Sequence, residues 1–388
     1  MNLYKPPRNV LLLGLTSFFN DLSSEMILAI FPAFFISVLK TGAGSLGLVE
    51  GLASGASNLI KIYAGRLSDR LASRKPFIVV GYSLSVIIRP AYLLAGSLLP
   101  VLGLRFLDRV GKGLREGPRD AIISLSTKES ELGRAFGYHR AMDTIGAIVG
   151  PFIAYLILRQ YPGGFHVIFM TAFIVGIFAV LSTLFIKDVI ADFKKKNITI
   201  GAIASYSPEF KRYLIALFLL SVGSIPVAVL LLSTQHIASL TLASIPLFYM
   251  LYNISYAAFS YMGGALSDRY GAKDIILLGY TILLIGYATL MYAKSTPILI
   301  VAFLVLGLFP ALTDGVQRAL ASTLSPEETR GGAFGLVNAT SGFGLLFAGL
   351  VGGFAWEHAG SVTALTASGV FIVIGMLTLQ TVPAKDPI

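Results

Sequence analysis

The sequence predicts an all-α polytopic membrane protein of twelve helices. Three observations lead there. Of 388 residues 55% are hydrophobic, and the mean hydropathy is +0.78. Only 13% are charged, about half the share of a soluble domain, so there is too little polar surface to cover a water-soluble fold. Long apolar runs recur along the whole chain. The absence of Cys excludes a disulfide scaffold, a Cys-ligated zinc site and a thiol enzyme. The 40 Gly residues suit close helix packing in lipid.

A span needs about 20 apolar residues. The runs fall near 9–39, 45–64, 76–98, 100–124, 133–158, 165–186, 211–236, 244–262, 274–293, 297–320, 331–353 and 361–382. Helix 1 follows Lys5 and Arg8 and stays apolar to about Leu39 without a small-residue cleavage site, so it reads as a span rather than a signal peptide. It carries Ser17, Asn20, Asp21, Ser24 and Glu25 as one stripe at helical spacing. A carboxylate held away from water takes up a proton readily unless a cation is near. Asp21 and Glu25 are therefore candidate proton carriers, and the alternative is a permanent ion pair with Arg109 or Lys112. On helix 2, Glu50, Asn58 and Lys61 read as helix-end groups. On helix 3, Arg89 precedes Pro90 and reads as a structural partner of Asp108.

Helix 4 is the most informative. Arg105, Asp108, Arg109, Lys112, Arg115, Glu116, Arg119 and Asp120 fall within an arc of about 140°. Charges in a membrane helix must face a watery cavity or each other. Arg119 and Asp120 read as an inexpensive pair near the membrane surface. Arg109, Lys112 and Arg115 read as substrate ligands, with Asn20 opposite them. Helix 5 opens with His139, Arg140 and Asp143. Arg140 and Asp143 read as an i,i+3 pair, with a place on a proton path as the second reading of Asp143. Gly146, Gly150 and Pro151 permit close packing and a bend. Helix 7 offers Ser221, Ser224 and the Pro226 bend. On helix 8, Tyr249, Tyr252, Asn253 and Tyr256 read as interhelix packing. On helix 10, Asp314, Gln317 and Arg318 share a face and read as an inner gate.

The long polar connection from Lys187 to Pro208 divides the chain into a six-helix bundle at 1–186, a cytoplasmic loop at 187–210 and a second bundle at 211–388. With the N-terminus inside, 18 of the 30 Lys and Arg fall on cytoplasmic ends and loops and 3 outside. That bias predicts both termini in the cytoplasm. It also accounts for most of the net charge of +10 without a nucleic-acid partner.

The halves resemble each other. Gly65-Arg-Leu-Ser-Asp69-Arg70 recurs as Gly264-Ala-Leu-Ser-Asp268-Arg269, 199 residues on, and Arg134-Ala-Phe-Gly137 recurs as Gly332-Ala-Phe-Gly335, 198 on. Two matches at nearly one offset indicate a duplicated half, as in many transporters. The segment Gly65–Lys75 also follows the pattern G-x-x-x-D-R-x-x-x-R-[RK], including Arg74. On these residues the chain resembles the major facilitator superfamily. Arg105-x-x-x-Arg109-x-x-Lys112-Gly113 is similar to that family's helix-4 motif, with Lys where Gln is commoner. Gly137-x8-Gly146-x3-Gly150-Pro151 is similar to its helix-5 antiporter motif, except that Ala154-Tyr155 replaces the closing Gly-Gly.

The resemblance implies a two-bundle fold with helices 1, 4, 7 and 10 around a central cavity. It implies gating roles for Gly65, Asp69, Arg70, Arg74, Gly264, Asp268 and Arg269, and a hinge or proton seal at the helix-5 motif. The expected function is secondary active transport by alternating access in the bacterial inner membrane. The expected drive is a proton gradient, without cofactor or metal, with lipid and a small solute as partners and a monomer sufficing. The cations of helix 4 favour an anionic polycarboxylate-type solute, such as a metal chelate. The alternatives are a proton-coupled multidrug exporter and, more distantly, a receptor that has lost transport. No ATP-binding loop, H-E-x-x-H or G-x-S-x-G occurs, so enzyme chemistry has no support.

Overall fold

The computed structural model describes residues 5–70, 73–128, 131–189, 206–236, 240–325 and 330–383, excepting the side chains at 62, 65, 66, 69, 70, 236, 330 and 331. In the first half the helices are α1 (Arg8–Ser37), α2 (Ala43–Arg70), α3 (Lys75–Ala91), α4 (Leu98–Leu125), α5 (Leu132–Gln160) and α6 (Phe165–Leu184). In the second half they are α7 (Pro208–Val222), α8 (Ile245–Tyr270), α9 (Ala272–Met291), α10 (Thr296–Thr313) and α11 (Arg330–Phe347). The last helical stretch, Gly353–Gln380, breaks at Gly360, whose φ of 85° only glycine adopts freely. Its part beyond Gly360 is α12.

Among the described residues, nine stretches are long and apolar enough to span a membrane, and the ninth, Gly332–Gln380, holds α11 and α12 together. α2 and α4 complete the twelve spans; each has the length of a span but a more polar sequence. α2 and α8 run six to eight residues beyond their apolar stretches, because nothing in Arg-Leu-Ser-Asp breaks a helix. The repeated motif therefore begins on a helix, and in its second copy Gly271 (φ 92°) ends it.

The chain forms two compact units, 1–39 with 56–196 and 40–55 with 197–388. In the first unit α1 packs on α5 and α6, and α3 on α4 and α6. In the second, α7 packs on α11 and Gly353–Gln380, and α9 on α10 and Gly353–Gln380. The duplication thus extends from motif to packing. Glycine repeats with it. A Cβ at Gly146 would stand 2.5 Å from the Phe18 carbonyl oxygen on α1, and one at Gly344, 198 residues on, would overlap Ser221 on α7. The second unit also takes in the start of α2, where the Gly44 N–H donates to the Glu357 carboxylate at 2.7 Å.

Each unit ties its first, third and last helices together at one end. Arg74, fully buried, donates to the Val189 carbonyl at 3.0 Å. Asp188 accepts from Ser73 Oγ at 2.9 Å and from the Arg74 and Lys75 N–H groups at 3.1 and 3.3 Å, capping α3. Asn9 donates to Ser126 Oγ and the Lys187 carbonyl and accepts from the Lys187 N–H. In the second unit Lys273 donates to the Val382 carbonyl at 2.9 Å and Arg212 to that of Thr381 at 3.2 Å. Large apolar side chains such as Ile87, Leu94, Ile174, Tyr261, Ile285 and Leu377 stay exposed, as a lipid-facing surface requires.

Candidate functional site

In the first unit the charges of α4 divide between two tasks. Arg105, 3% exposed, pairs with Asp108 at 3.1 Å and lies over the Phe31 ring. Arg115 turns to α3. It donates to Ser85 Oγ at 2.7 Å and to the Gly81 carbonyl at 3.3 Å, and its guanidinium sits 4.4 Å from the centre of the Tyr82 ring. Arg115, expected among the substrate ligands, is a helix-packing residue here, because α3 and α4 meet at Gly81 and Gly111 closely enough for it to reach across. Arg119 pairs with Asp120 at 2.9 Å.

Arg109 and Lys112 occupy the half-exposed part of the stripe. Lys112 Nζ stands 3.7 Å from Glu116, and its side chain is 40% exposed. Glu116 also pairs with Lys61 of α2. Lys61, expected as a helix-end group, is thus part of the α4 network, which a helix-by-helix reading could not show. Arg109 has Asp108 and Lys112 as charged neighbours.

On α1, Asn20 is 2% exposed and lies between two charged groups. Its Oδ1 accepts from Arg89 Nη2 at 3.0 Å, and its Nδ2 donates to Asp21 Oδ1 at 3.0 Å. Arg89 also reaches the Ala172 carbonyl at 3.4 Å. Two expectations change accordingly. Arg89 hydrogen-bonds Asn20 and keeps Asp108 as a charged neighbour, while the ion-pair partner of Asp108 is Arg105 on its own helix. Asn20 orients Asp21 rather than presenting its amide to a solute. A void of about 10 Å³, room for about one water, lies among Ser24, Ser85, Arg89, Tyr92, Arg105 and Asp108.

Asp21 and Asp143 lie within hydrogen-bonding reach of each other. Ser17 Oγ donates to Asp143 Oδ1 at 2.7 Å and Arg140 Nη1 to its Oδ2 at 3.1 Å. Glu25, Lys112 and Arg89 are further charged neighbours of Asp21. The i,i+3 spacing gave the Arg140–Asp143 pair. The α1–α5 contact was missed, although Gly146 and Gly150, which permit it, were visible.

The second unit answers with hydroxyls and broken helices. α7 stops at Val222 and resumes at Val227, since Pro226 has no N–H to continue the ladder. Tyr287 of α9 repairs the gap: its hydroxyl accepts from the Ile225 N–H and donates to the Gly223 carbonyl, both at 2.9 Å. α10 stops at Thr313 and resumes at Val316. At that break Asp314, exposed, accepts from Tyr256 at 2.9 Å. The Gln317 carbonyl accepts from Tyr213 at 2.7 Å. Arg318 is exposed. Tyr256 is therefore more than packing, and Tyr287 and Tyr213 had no sequence signal beyond being aromatic in a span.

Of the gating residues, Gly65, Asp69 and Arg70 lie on the last turns of α2, and their side chains lie outside what the structure describes. Arg74 is the buried tether of α3. Gly264, Asp268 and Arg269 are exposed, with Arg269 over the Tyr270 ring. Gly146 and Gly150 lie against the α1 backbone, and Pro151 is buried on the same helix. Among the described residues no group of three or more His, Cys, Asp or Glu is placed to hold a metal ion.

Comparison with known proteins agrees with this architecture. The Major Facilitator Superfamily profile matches residues 13–251 and 213–387. An uncharacterised MFS-type transporter of Methanocaldococcus jannaschii is 36% identical over 380 residues, covering 96% of this chain and 94% of its own. A multi-drug resistance efflux pump PmrA homolog of Lactococcus lactis is 23% identical, covering 95% and 93%. The crystal structure of a mutant of the nucleoside transporter NupG superposes with a TM-score of 0.82 at 17% identity, covering 96% and 99%. At that identity the likeness speaks for the fold alone.

Proposed function

From the premise that this chain belongs to the major facilitator superfamily and is a transporter of that family, we propose that it is a proton-coupled secondary transporter of a small anionic solute. It works by alternating access in the inner membrane, with both termini cytoplasmic, as a monomer and without a cofactor. The solute is of polycarboxylate type, and a metal chelate is a member of that class. The observation that carries this reading is the half-exposed pair Arg109 and Lys112 on α4, of which Lys112 is a charged neighbour of Asp21. Arg105, Arg115 and Arg119 turn to partners within the bundle, while Arg109 and Lys112 place positive charge on the half-exposed part of the stripe, where a solute's negative charge would meet it. Arg binds carboxylate with two parallel hydrogen bonds and Lys as a point charge. Asp21 and Glu25 are the coupling groups: a proton arriving there changes the charge that the two cations face. Asp314 and Arg318 at the α10 break, together with Asp69 and Asp268, serve as gates.

A second reading, proton-driven export of lipophilic cations, has the Lactococcus lactis efflux-pump relative in its favour. The two readings oppose each other in the sign of the solute. A thermal-shift panel on purified protein separates them, since a ligand of the folded state at 100 times its Kd adds about 2.7 kcal/mol of stability. Citrate, ferric citrate and tetraphenylphosphonium are the probes. Stabilisation by the polycarboxylates, lost in Arg109→Ala and Lys112→Ala, followed by ΔpH-driven uptake into proteoliposomes, supports the anion reading. Stabilisation by tetraphenylphosphonium alone, lost in Asp21→Asn, overturns it in favour of export.

A further inference from the structure

We propose that Asp143 of α5 is the second half of the proton site. It shares one proton with Asp21 of α1, and His139, one turn earlier on α5, is the group through which that proton exchanges with water. This rests on the proton-coupled reading above and gives it a structure. An ionised carboxylate only accepts hydrogen bonds, so a hydrogen bond between the Asp21 and Asp143 carboxyl groups needs a proton on one of them. Removed from bulk water, two adjacent negative charges are costly, which keeps that proton in place.

The donors around the pair are unequal. Asp143 takes the Ser17 hydroxyl on one oxygen and the Arg140 guanidinium on the other. Among the described residues, Asp21 takes the neutral amide of Asn20. This sets the proton on Asp21, as a carboxyl that donates to the Asp143 carboxylate. Asn20 is in turn held by Arg89, so the orientation of Asp21 is fixed by a buried chain of contacts.

His139 supplies the independent observation. It is 6% exposed, and among the described residues its Nε2 is buried with no hydrogen-bond partner. At i and i+4 it and Asp143 lie on one face of α5. The charged groups around His139 are Glu116 and Arg119 of α4 and Arg140 and Asp143 of α5. Those around Asp143 are Asp21, Arg140, Arg119 and His139, and those around Asp21 are Asp143, Glu25, Lys112 and Arg89. Tyr82 of α3 is close to Arg115, Arg119 and Asp21. When the pair has given up its proton, the His139 ring takes one from water; an N–H bond of the imidazolium then breaks as an O–H bond forms on Asp143, from which the proton passes to Asp21. The ring returns to neutral, and nothing is oxidised.

The test is infrared spectroscopy of the full chain in lipid nanodiscs, which needs no substrate. The wild type is expected to show a protonated-carboxyl C=O band at neutral pH. Asp21→Asn and Asp143→Asn should each abolish it, because an amide in either place donates to the carboxylate that remains. Ser17→Ala, which keeps both carboxyls, should shift the band. His139→Gln should leave the band but slow its hydrogen–deuterium exchange. A band at full strength in Asp143→Asn, or no such band in the wild type, overturns the shared proton. Unchanged exchange in His139→Gln overturns the relay. If ΔpH-driven citrate uptake persists while the wild-type band is absent, the dyad falls and the transport reading stands. If the band behaves as expected and no citrate uptake occurs, the transport reading falls and the dyad stands.

Discussion

Replacing Gly146 by Ala and Gly137 by Ala should have opposite effects, although both glycines belong to one motif on one helix. Either change removes a residue that costs a helix interior about 1 kcal/mol relative to Ala. At Gly137, among the described residues, no atom lies within 4 Å of an added Cβ. Only the propensity term remains, so Gly137→Ala should be neutral or stabilising by up to about 1 kcal/mol. At Gly146 the added Cβ would stand 2.5 Å from the Phe18 carbonyl oxygen and 2.8 Å from the Leu22 nitrogen. Both belong to the α1 backbone, which cannot turn aside as a side chain can. α1 must move away from α5, an overpacking cost of about 1–3 kcal/mol. The net change is a loss of up to about 2 kcal/mol. The same Cβ would come 3.3 Å from that of Asp21, so the shift also opens the Asp21–Asp143 contact. Helical circular dichroism followed through thermal unfolding in detergent gives the ranking, with Gly137→Ala at or above wild type and Gly146→Ala below. A Gly146→Ala protein that melts no lower than Gly137→Ala would refute the close approach of α1 and α5.

Further outcomes can be checked in the same way. Tyr287→Phe keeps the ring but leaves the Ile225 N–H and the Gly223 carbonyl without their bridge, a loss of about 1–3 kcal/mol for each unsatisfied group; an unchanged melting curve would show that another group closes the α7 break. Arg115→Ala should lower stability by about 2 kcal/mol or more through the Ser85, Gly81 and Tyr82 contacts. It should leave any citrate-induced thermal shift intact, and loss of that shift in a folded variant would return Arg115 to the solute site. Asp188→Ala removes the cap of α3 and should cost about 1–2 kcal/mol, read from the same melts. Fraying confined to the start of α3 should appear as faster amide hydrogen exchange at Arg74 and Lys75, and unchanged exchange there would refute the cap.

The twelve spans, most of their boundaries to within a few residues and the duplication could be read from the sequence, because lipid allows few ways to satisfy a backbone and apolar run length is the dominant signal; the cytoplasmic ends of α2 and α8 could not, since a polar helix end carries no apolar signal. What escaped the sequence has one physical cause. Periodicity orders residues around a single helix; it does not say which neighbour that face meets. The α4 arc was therefore right as an arc, and its division was not visible. Arg115 went to α3 because Gly81 and Gly111 bring the two helices together. Lys61 joined Glu116 across α2 and α4. Asn20 looked like a ligand because polar residues in spans often are, yet Arg89 of α3, two helices on by number, claims it. The Arg140–Asp143 pair was legible because both partners lie on α5.

The two units share their packing plan but divide their polar chemistry. In the first, α1, α4 and α5 remain continuous through their charged stretches, and the polarity is carried by side chains that can gain or lose a proton. In the second, α7 and α10 are interrupted, and the polarity is carried by backbone groups and tyrosine hydroxyls, with Asp314 and Arg318 the charges near a break. A broken helix offers fixed dipoles whose strength does not depend on proton supply. A carboxylate pair offers a charge that does. Duplication alone would have produced two equivalent halves. The function proposed above calls for such a divergence: a proton-coupled carrier of a charged solute would need one half whose charge changes through the cycle, and one whose polar groups stay constant while the solute is bound and released.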